Sequence, residues 1–199
     1  MGVPWDNMQY FRDCKIASIY EGTNGIQALD LVGRKLGQRK GADVMNLFGE
    51  MNASILKLKR LDDLKRHVAY LEEAYYALID LTMHFAQLGK SAGFLMPVLN
   101  ATPYLEILGD VIIGHFLMQA AGMADEKLNA IYKERGAEES KAKKRALIHE
   151  DPDVAFYYGK TSAARYYAVD VLSTVKARCE AIKFGERVPI EMPEESFTC

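Results

Sequence analysis

The sequence predicts an all-α protein built as an antiparallel helical bundle. Three observations carry that reading. Almost every segment recurs at helical period, no stretch alternates as a strand does, and one seam runs unbroken through Leu61, Leu64, Val68, Leu71, Tyr75, Leu78, Thr82 and Phe85. The spacing of that seam, alternately three and four, suits a helix packed in a bundle or at a subunit interface.

The first element is a pair of helices with a break between them. Ile16, Ile19 and Tyr20 recur at spacings of three and four; after the break Ile26, Leu29 and Val32 or Gly33 do the same. Between them stand Glu21, Gly22, Thr23, Asn24 and Gly25. Gly22 and Gly25 can take backbone angles that other residues avoid, and Thr23 or Asn24 can cap the second helix. Asn24 with Gln27 has the spacing of a capping box in which Asn replaces Ser or Thr. A Glu21 carboxylate there lies beside free backbone N–H groups and the positive end of a helix dipole. That suits a positioned base next to an anionic ligand. The same residues also make an ordinary helix–turn–helix corner with Glu21 solvated.

Gly37 to Gly41 reads as a small polar linker, and Val44, Leu47, Phe48, Met51, Ile55 and Leu58 mark the next helix. The seam helix follows, with Asp62 and Asp63 in its first turn complementing the dipole and Gly89 and Gly93 ending it. Thr102 as cap and Pro103 at the first helical position start another helix, whose buried face is expected to be Leu105, Leu108, Ile112, Phe116 and Met123. Its apolar run from Val111 to Ala120 is too short and interrupted to span a bilayer. Lys133 to Arg145 interleaves acids and bases, so Lys141, Lys143, Lys144 and Arg145 read as a solvated face or connector rather than a nucleic-acid patch. Asp151 then Pro152 starts the last long helix, with Phe156, Tyr157, Ala164, Tyr167, Val171, Leu172 and Val175 on its apolar face and Gly185 as its stop.

Composition narrows the function classes. The chain has 199 residues and a formal net charge of −2, with a pI near 6.1. It therefore has no electrostatic footprint for nucleic acid or an anionic membrane. Cys14, Cys179 and Cys199 are widely separated and read as free thiols in a reducing compartment, and the expected location is cytoplasmic or, in a eukaryote, organellar. The segment Met1 to Tyr10 does not read as a signal peptide. No Glu-x-x-His occurs and His67, His84, His115 and His149 are dispersed, so a di-metal centre is not expected. His115 reads as a core histidine donating to a backbone carbonyl. The nine methionines and paired tyrosines read as packing.

Tyr10-Phe11-Arg12-Asp13 followed by Lys15-Ile16, then Ile19-Tyr20-Glu21-Gly22-Thr23 and Ile26-Gln27, resembles the catalytic-base segment of the flavin-dependent acyl-CoA dehydrogenases. The resemblance runs without a gap from about Tyr10 to Leu36. Ala155 to Lys160 with Ala163 to Ala168 is similar to the extra C-terminal helical module of the longer members, as is the closing Pro193-Glu194-Glu195-Ser196-Phe197. Gly25-Ile26-Gln27-Ala28 also resembles the long branch. The resemblance divides the chain into residues 1–36, the end of the catalytic helical domain with the base motif, and 37–199, the C-terminal module.

What the resemblance implies is FAD-dependent α,β-dehydrogenation of an acyl-CoA thioester. Glu21 would be the general base, and Gly22 would let the substrate approach the backbone. Thr23, Asn24 and Gly25 would contact FAD near its phosphates. Two hydrogen bonds to the thioester carbonyl, one from the base's own N–H, would stabilise the developing oxyanion. An electron-transfer flavoprotein or similar acceptor would take the electrons. The family places two further domains ahead of this segment, whereas Glu21 comes twenty residues after Met1. The expectation is a C-terminal portion that self-associates as a homo-oligomer, binds FAD weakly or not at all, and is inactive alone. A stand-alone helical interaction module, with the motif kept as a structural corner, is the alternative.

Overall fold

In the computed structural model, which describes residues 5–20, 22–89 and 93–197 (backbone alone for 5–8), the order of elements is helical throughout. Helix α1 spans Trp5–Ile19, α2 Asn24–Gly33, α3 Ala42–Leu58, α4 Lys65–Leu88, α5 Leu95–Leu99 and α6 Ala101–Glu134. Then come α7 (Lys141–Glu150), α8 (Pro152–Tyr167), a π-turn over Ala168–Leu172, α9 (Ser173–Phe184) and a short α10 (Val188–Glu191). The described residues contain no strand.

The seam becomes the buried stripe of α4. Asp62–Leu64 forms a 3₁₀ turn ahead of the helix, and from Leu64 through Val68, Leu71, Tyr75, Leu78 and Thr82 to Phe85 every seam residue is buried. Helices α3, α6 and α9 pack around it. The seam is thus spent inside the chain, and the expected self-association loses the face that suggested it. Each buried Leu contributes about 1.5–3 kcal/mol of transfer free energy. Polar groups at this depth are satisfied: Tyr104 Oη lies 2.7 Å from Thr82 Oγ1, which donates to Leu78 O, and Tyr75 Oη donates to Phe48 O at 2.9 Å. Burial pushes the Tyr104 phenol up to about 12.

Helix α6 departs from expectation in start, length and phase. It begins at Ala101 with Asn100 at the cap, so Pro103 stands third, still in the first turn, where backbone N–H groups have no helical partner. The helix runs 34 residues, and although its length and composition alone would let it cross a membrane, a core helix meets the same two conditions, and its long buried face keeps the reading of a buried helix. Half of its most apolar window is buried. Of the expected face only Leu108 is buried, while Phe116 is 60% and Met123 64% exposed. The buried face is Tyr104, Ile107, Leu108, Val111, His115, Met118 and Ala121. The reason lies in two small residues. A Cβ at Gly114 would sit 2.8 Å from both Leu172 methyls, and one at Gly122 would sit 2.7 Å from Leu58 Cδ2. Neighbouring side chains press against α6 where it lacks its own, and that sets the rotation.

The remaining elements follow local chemistry. Asp151 Oδ1 accepts from Asp153 N and Val154 N with Pro152 in the first turn, as predicted, and Gly185 closes α9 at φ +64. Phe156, expected on the apolar face of α8, is exposed. Lys133 to Arg145 is the end of α6, a turn with Gly136 at φ +60, and the start of α7, capped by Ser140 Oγ accepting from Lys143 N. The expected Gly37–Gly41 linker lies in a tight segment where Arg39 and Lys40 also take left-handed angles. His115 is buried as expected, yet its Nδ1 has no hydrogen-bond partner. Cys14 is exposed and Cys179 buried, both free; Cys199 lies outside the described residues.

Candidate functional site

The break between α1 and α2 forms where the sequence predicts it. Tyr20 N donates to Ile16 O at 2.9 Å and closes the last turn of α1. Gly22 then takes φ +61, an angle that a side chain would make costly by roughly 1 kcal/mol. Thr23 occupies the cap position of α2, and its carbonyl accepts from Gln27 N at 3.0 Å.

Several details differ from expectation. The Thr23 side chain makes no cap hydrogen bond. Asn24 is the first helical residue rather than the cap, so the Asn24–Gln27 capping box does not form. Gly25 lies within the helix and a Cβ there would meet nothing within 4 Å, so its conformational freedom goes unused. Glu21 lies outside the described residues.

A hollow of about 400 Å³ opens at this corner, lined by Ile16, Ala17, Tyr20, Thr23, Asn24 and Gln27. Thr23 and Asn24 are thereby brought together at its rim, while Gly22 and Gly25 are not among the lining residues. Ile16, Ala17, Tyr20 and Gln27 were not foreseen as site residues. The signal was present: residues 16, 17 and 20 repeat the spacing of 23, 24 and 27, which places two matching faces on either side of the break.

The electrostatics of the hollow come from the backbone. The first N–H groups of α2 have no helical partner, and the Thr23 hydroxyl is not spent on the cap. Together with the helix dipole they favour an anion. Helix α2 is anchored by Ala28, fully buried, and by packing on α5 and α6. Asp30 accepts from Arg34 Nε at 2.7 Å, and that bond, ahead of Lys35, holds its carboxyl below the ordinary value. By contrast Tyr10, Phe11, Ile16, Ile19 and Tyr20 of this region are exposed, Tyr20 at 82%. No group of three or more His, Cys, Asp or Glu converges on a metal position among the described residues.

Residues 47–193 match the family model described as Acetyl-CoA dehydrogenase C-terminal like. A butyryl-CoA dehydrogenase of Syntrophomonas wolfei is 30% identical over 187 residues, covering 94% of this chain and 28% of the relative. A broad-specificity linear acyl-CoA dehydrogenase of Mycobacterium tuberculosis is 30% identical over 200 residues, covering 95% of this chain and 29% of the relative. A 3-methylmercaptopropionyl-CoA dehydrogenase of Ruegeria pomeroyi is 50% identical over 46 residues, 23% of this chain and 8% of that protein. The chain spans less than a third of the length of the first two relatives. Their similarity leaves about a dozen residues of this chain uncovered, so it reaches the α1–α2 corner outside the limits of the family model.

Proposed function

The chain belongs to the Acetyl-CoA dehydrogenase C-terminal-like family, and on that premise we propose that it supplies the base-bearing corner of an FAD-dependent acyl-CoA dehydrogenase. The observation that carries the reading is the hollow at the α1–α2 break, with unspent donors at the start of α2 and Glu21 adjoining it in sequence. In this reading Glu21 takes the α-proton of the acyl-CoA thioester and becomes the neutral acid. Its backbone N–H donates to the thioester carbonyl, where one such bond is worth about 3 kcal/mol in the transition state. Gly22, with no side chain, leaves room for the thioester to approach.

The donors of the corner fit the phosphate part of FAD. The free N–H groups at the start of α2 and the Thr23 hydroxyl would hold it, with Asn24 and Gly25 beside them. FAD, when bound, supplies a hydride acceptor for the β-hydrogen. The hollow is open and offers few side-chain donors, so the chain by itself holds FAD weakly and does not turn over acyl-CoA. An electron-transfer flavoprotein or similar acceptor and a homo-oligomeric assembly complete the proposal.

Two measurements test it. The purified chain, incubated with FAD and desalted, should show little flavin absorbance, and anaerobic butyryl-CoA should bleach none; a yellow, substrate-bleached protein would overturn the weak-binding claim. In an active enzyme containing these residues, Glu21→Gln should keep FAD and lower turnover by about 10²–10⁴-fold. Near-parental turnover would remove Glu21 from its role. The exposed apolar side chains of α1 favour one second reading, a helical interaction module. There Glu21→Gln would change nothing, while Phe11→Asp would weaken association.

A further inference from the structure

A cavity of about 580 Å³ lies between α6, α7 and α8, and it shares no residue with the α1–α2 corner. One wall is the basic segment of α7. Lys141, Lys144 and Arg145 stand at i, i+3 and i+4, so they share a helix face, and all three line the cavity. Lys143, on another face, is instead bonded to Gly136 O. The Ser140 cap sets this phase by fixing where α7 begins.

The charges in the cavity are not balanced within the chain. Lys141, Lys144, Arg145 and Arg165 line it against two acids, Asp63 and Asp125. Elsewhere Arg34, Lys59, Lys176, Arg178 and Lys183 each hold a carboxylate. The four cavity cations make no ion pair among the described residues. Arg165 is more exacting still: its Nε is buried without a hydrogen-bond partner, and its Nη2 reaches only Asp63 O at 3.4 Å. A buried donor left unpaired is costly, and like charges gathered in one concavity repel. An anion among these cations relieves that repulsion.

The uncharged walls narrow the ligand further. Tyr132, Ile148 and Tyr158 present ring and aliphatic surface, and Lys144 Nζ stands 5.0 Å over the Tyr132 ring. The volume lies within the range of small-molecule sites and far exceeds what an inorganic phosphate fills. Asp125, buried and held by Asn129 Nδ2 at 3.2 Å, offers an acceptor for an amino group. We infer that this cavity binds a nucleotide, its base against Tyr132, Ile148 and Tyr158 and its phosphate against Lys141, Lys144 and Arg145. The site stands independently of the dehydrogenase reading.

Calorimetric titration of the intact chain at low salt tests the assignment, with AMP, adenosine 3′,5′-bisphosphate, adenosine and pyrophosphate as probes. A nucleotide should bind at least about tenfold tighter than adenosine or pyrophosphate. Lys141→Gln/Arg145→Gln, both on the exposed side of α7, should lose at least about tenfold while keeping the parent helix content. Tyr158→Ala should weaken AMP more than pyrophosphate. Both sources of the ligand support the site: preference for the bisphosphate points to the nucleotide end of coenzyme A, and equal affinity points to a free nucleotide. The assignment falls if no nucleotide binds at millimolar concentration, if the double variant binds as the parent does, or if pyrophosphate matches AMP. It falls too if a single-stranded oligonucleotide binds far tighter than the mononucleotides.

Discussion

Along α4 the side chains of Val68, Leu71 and Leu78 are wholly buried, whereas α1 leaves Phe11, Ile16 and Ile19 in solvent, with Tyr20 just beyond its end. Both helices carry apolar residues at spacings of three and four. In the bundle that periodicity is matched by neighbours on α3, α6 and α9. At the corner it is matched by nothing comparable among the described residues. The bundle therefore draws its stability from its own core. The corner is held chiefly through α2, which rests on α5 and α6, and it keeps its polar backbone available. A scaffold whose apolar groups are satisfied can hold a turn whose donors are not.

The widest test of this contrast pairs a charge in each region. Leu71→Asp should abolish cooperative melting, because a carboxylate buried without a partner costs about 4 kcal/mol or more. Tyr20→Asp should shift stability by no more than about 0.5 kcal/mol, as for other exposed sites. Comparable losses in a circular-dichroism melt would mean that α1 is packed, and the contrast would fail.

Two glycines sharpen the comparison at smaller scale. Gly114→Ala places a methyl 2.8 Å from Leu172 and should destabilise by about 1–3 kcal/mol. Gly25→Ala meets nothing within 4 Å in a helical turn and should stabilise by about 0.5 kcal/mol. Denaturant midpoints of the two variants should move in opposite directions. If Gly114→Ala is neutral, α6 and the π-turn are less closely packed than the geometry requires.

The smallest effect is a pH dependence of the bundle. Burial holds the folded-state value of His115 below its ordinary 6.5, with Glu50 opposing, and His67 is lowered mainly by burial too. Well above pH 6.5 both histidines are neutral in either state and contribute no slope. Below it the unfolded chain takes up the protons first, so stability declines as pH falls. Each histidine contributes at most about 1.4 kcal/mol per pH unit. His115→Gln should flatten part of that decline in melts taken from pH 7 to pH 5; an unchanged slope would mean the site is hydrated in solution.

Much of the fold is legible along the chain because its signals are local. The α4 seam, the Asp151–Pro152 start and the Gly185 stop each depend on residues within a turn or two. The corner was legible for the same reason, down to the left-handed Gly22. Thr23 and Asn24 could not be separated as cap and first helical residue, since either suits either place. Lys141 and Arg145 read as solvated charges because alternating signs say nothing about the concavity that receives them.

What lies beyond reach of local pattern is rotation and depth. Helix α6 is apolar on much of its circumference, so transfer free energy alone ranks Phe116 with Tyr104 as a core residue. Only the approach of Leu172 to Gly114 and of Leu58 to Gly122 breaks that tie. Periodicity and caps, which arise between residues a few positions apart, were set by the amino-acid order itself. Which face is buried, which seam is spent internally and which charges share a cavity arise between residues far apart in the chain, and close packing in three dimensions settled them.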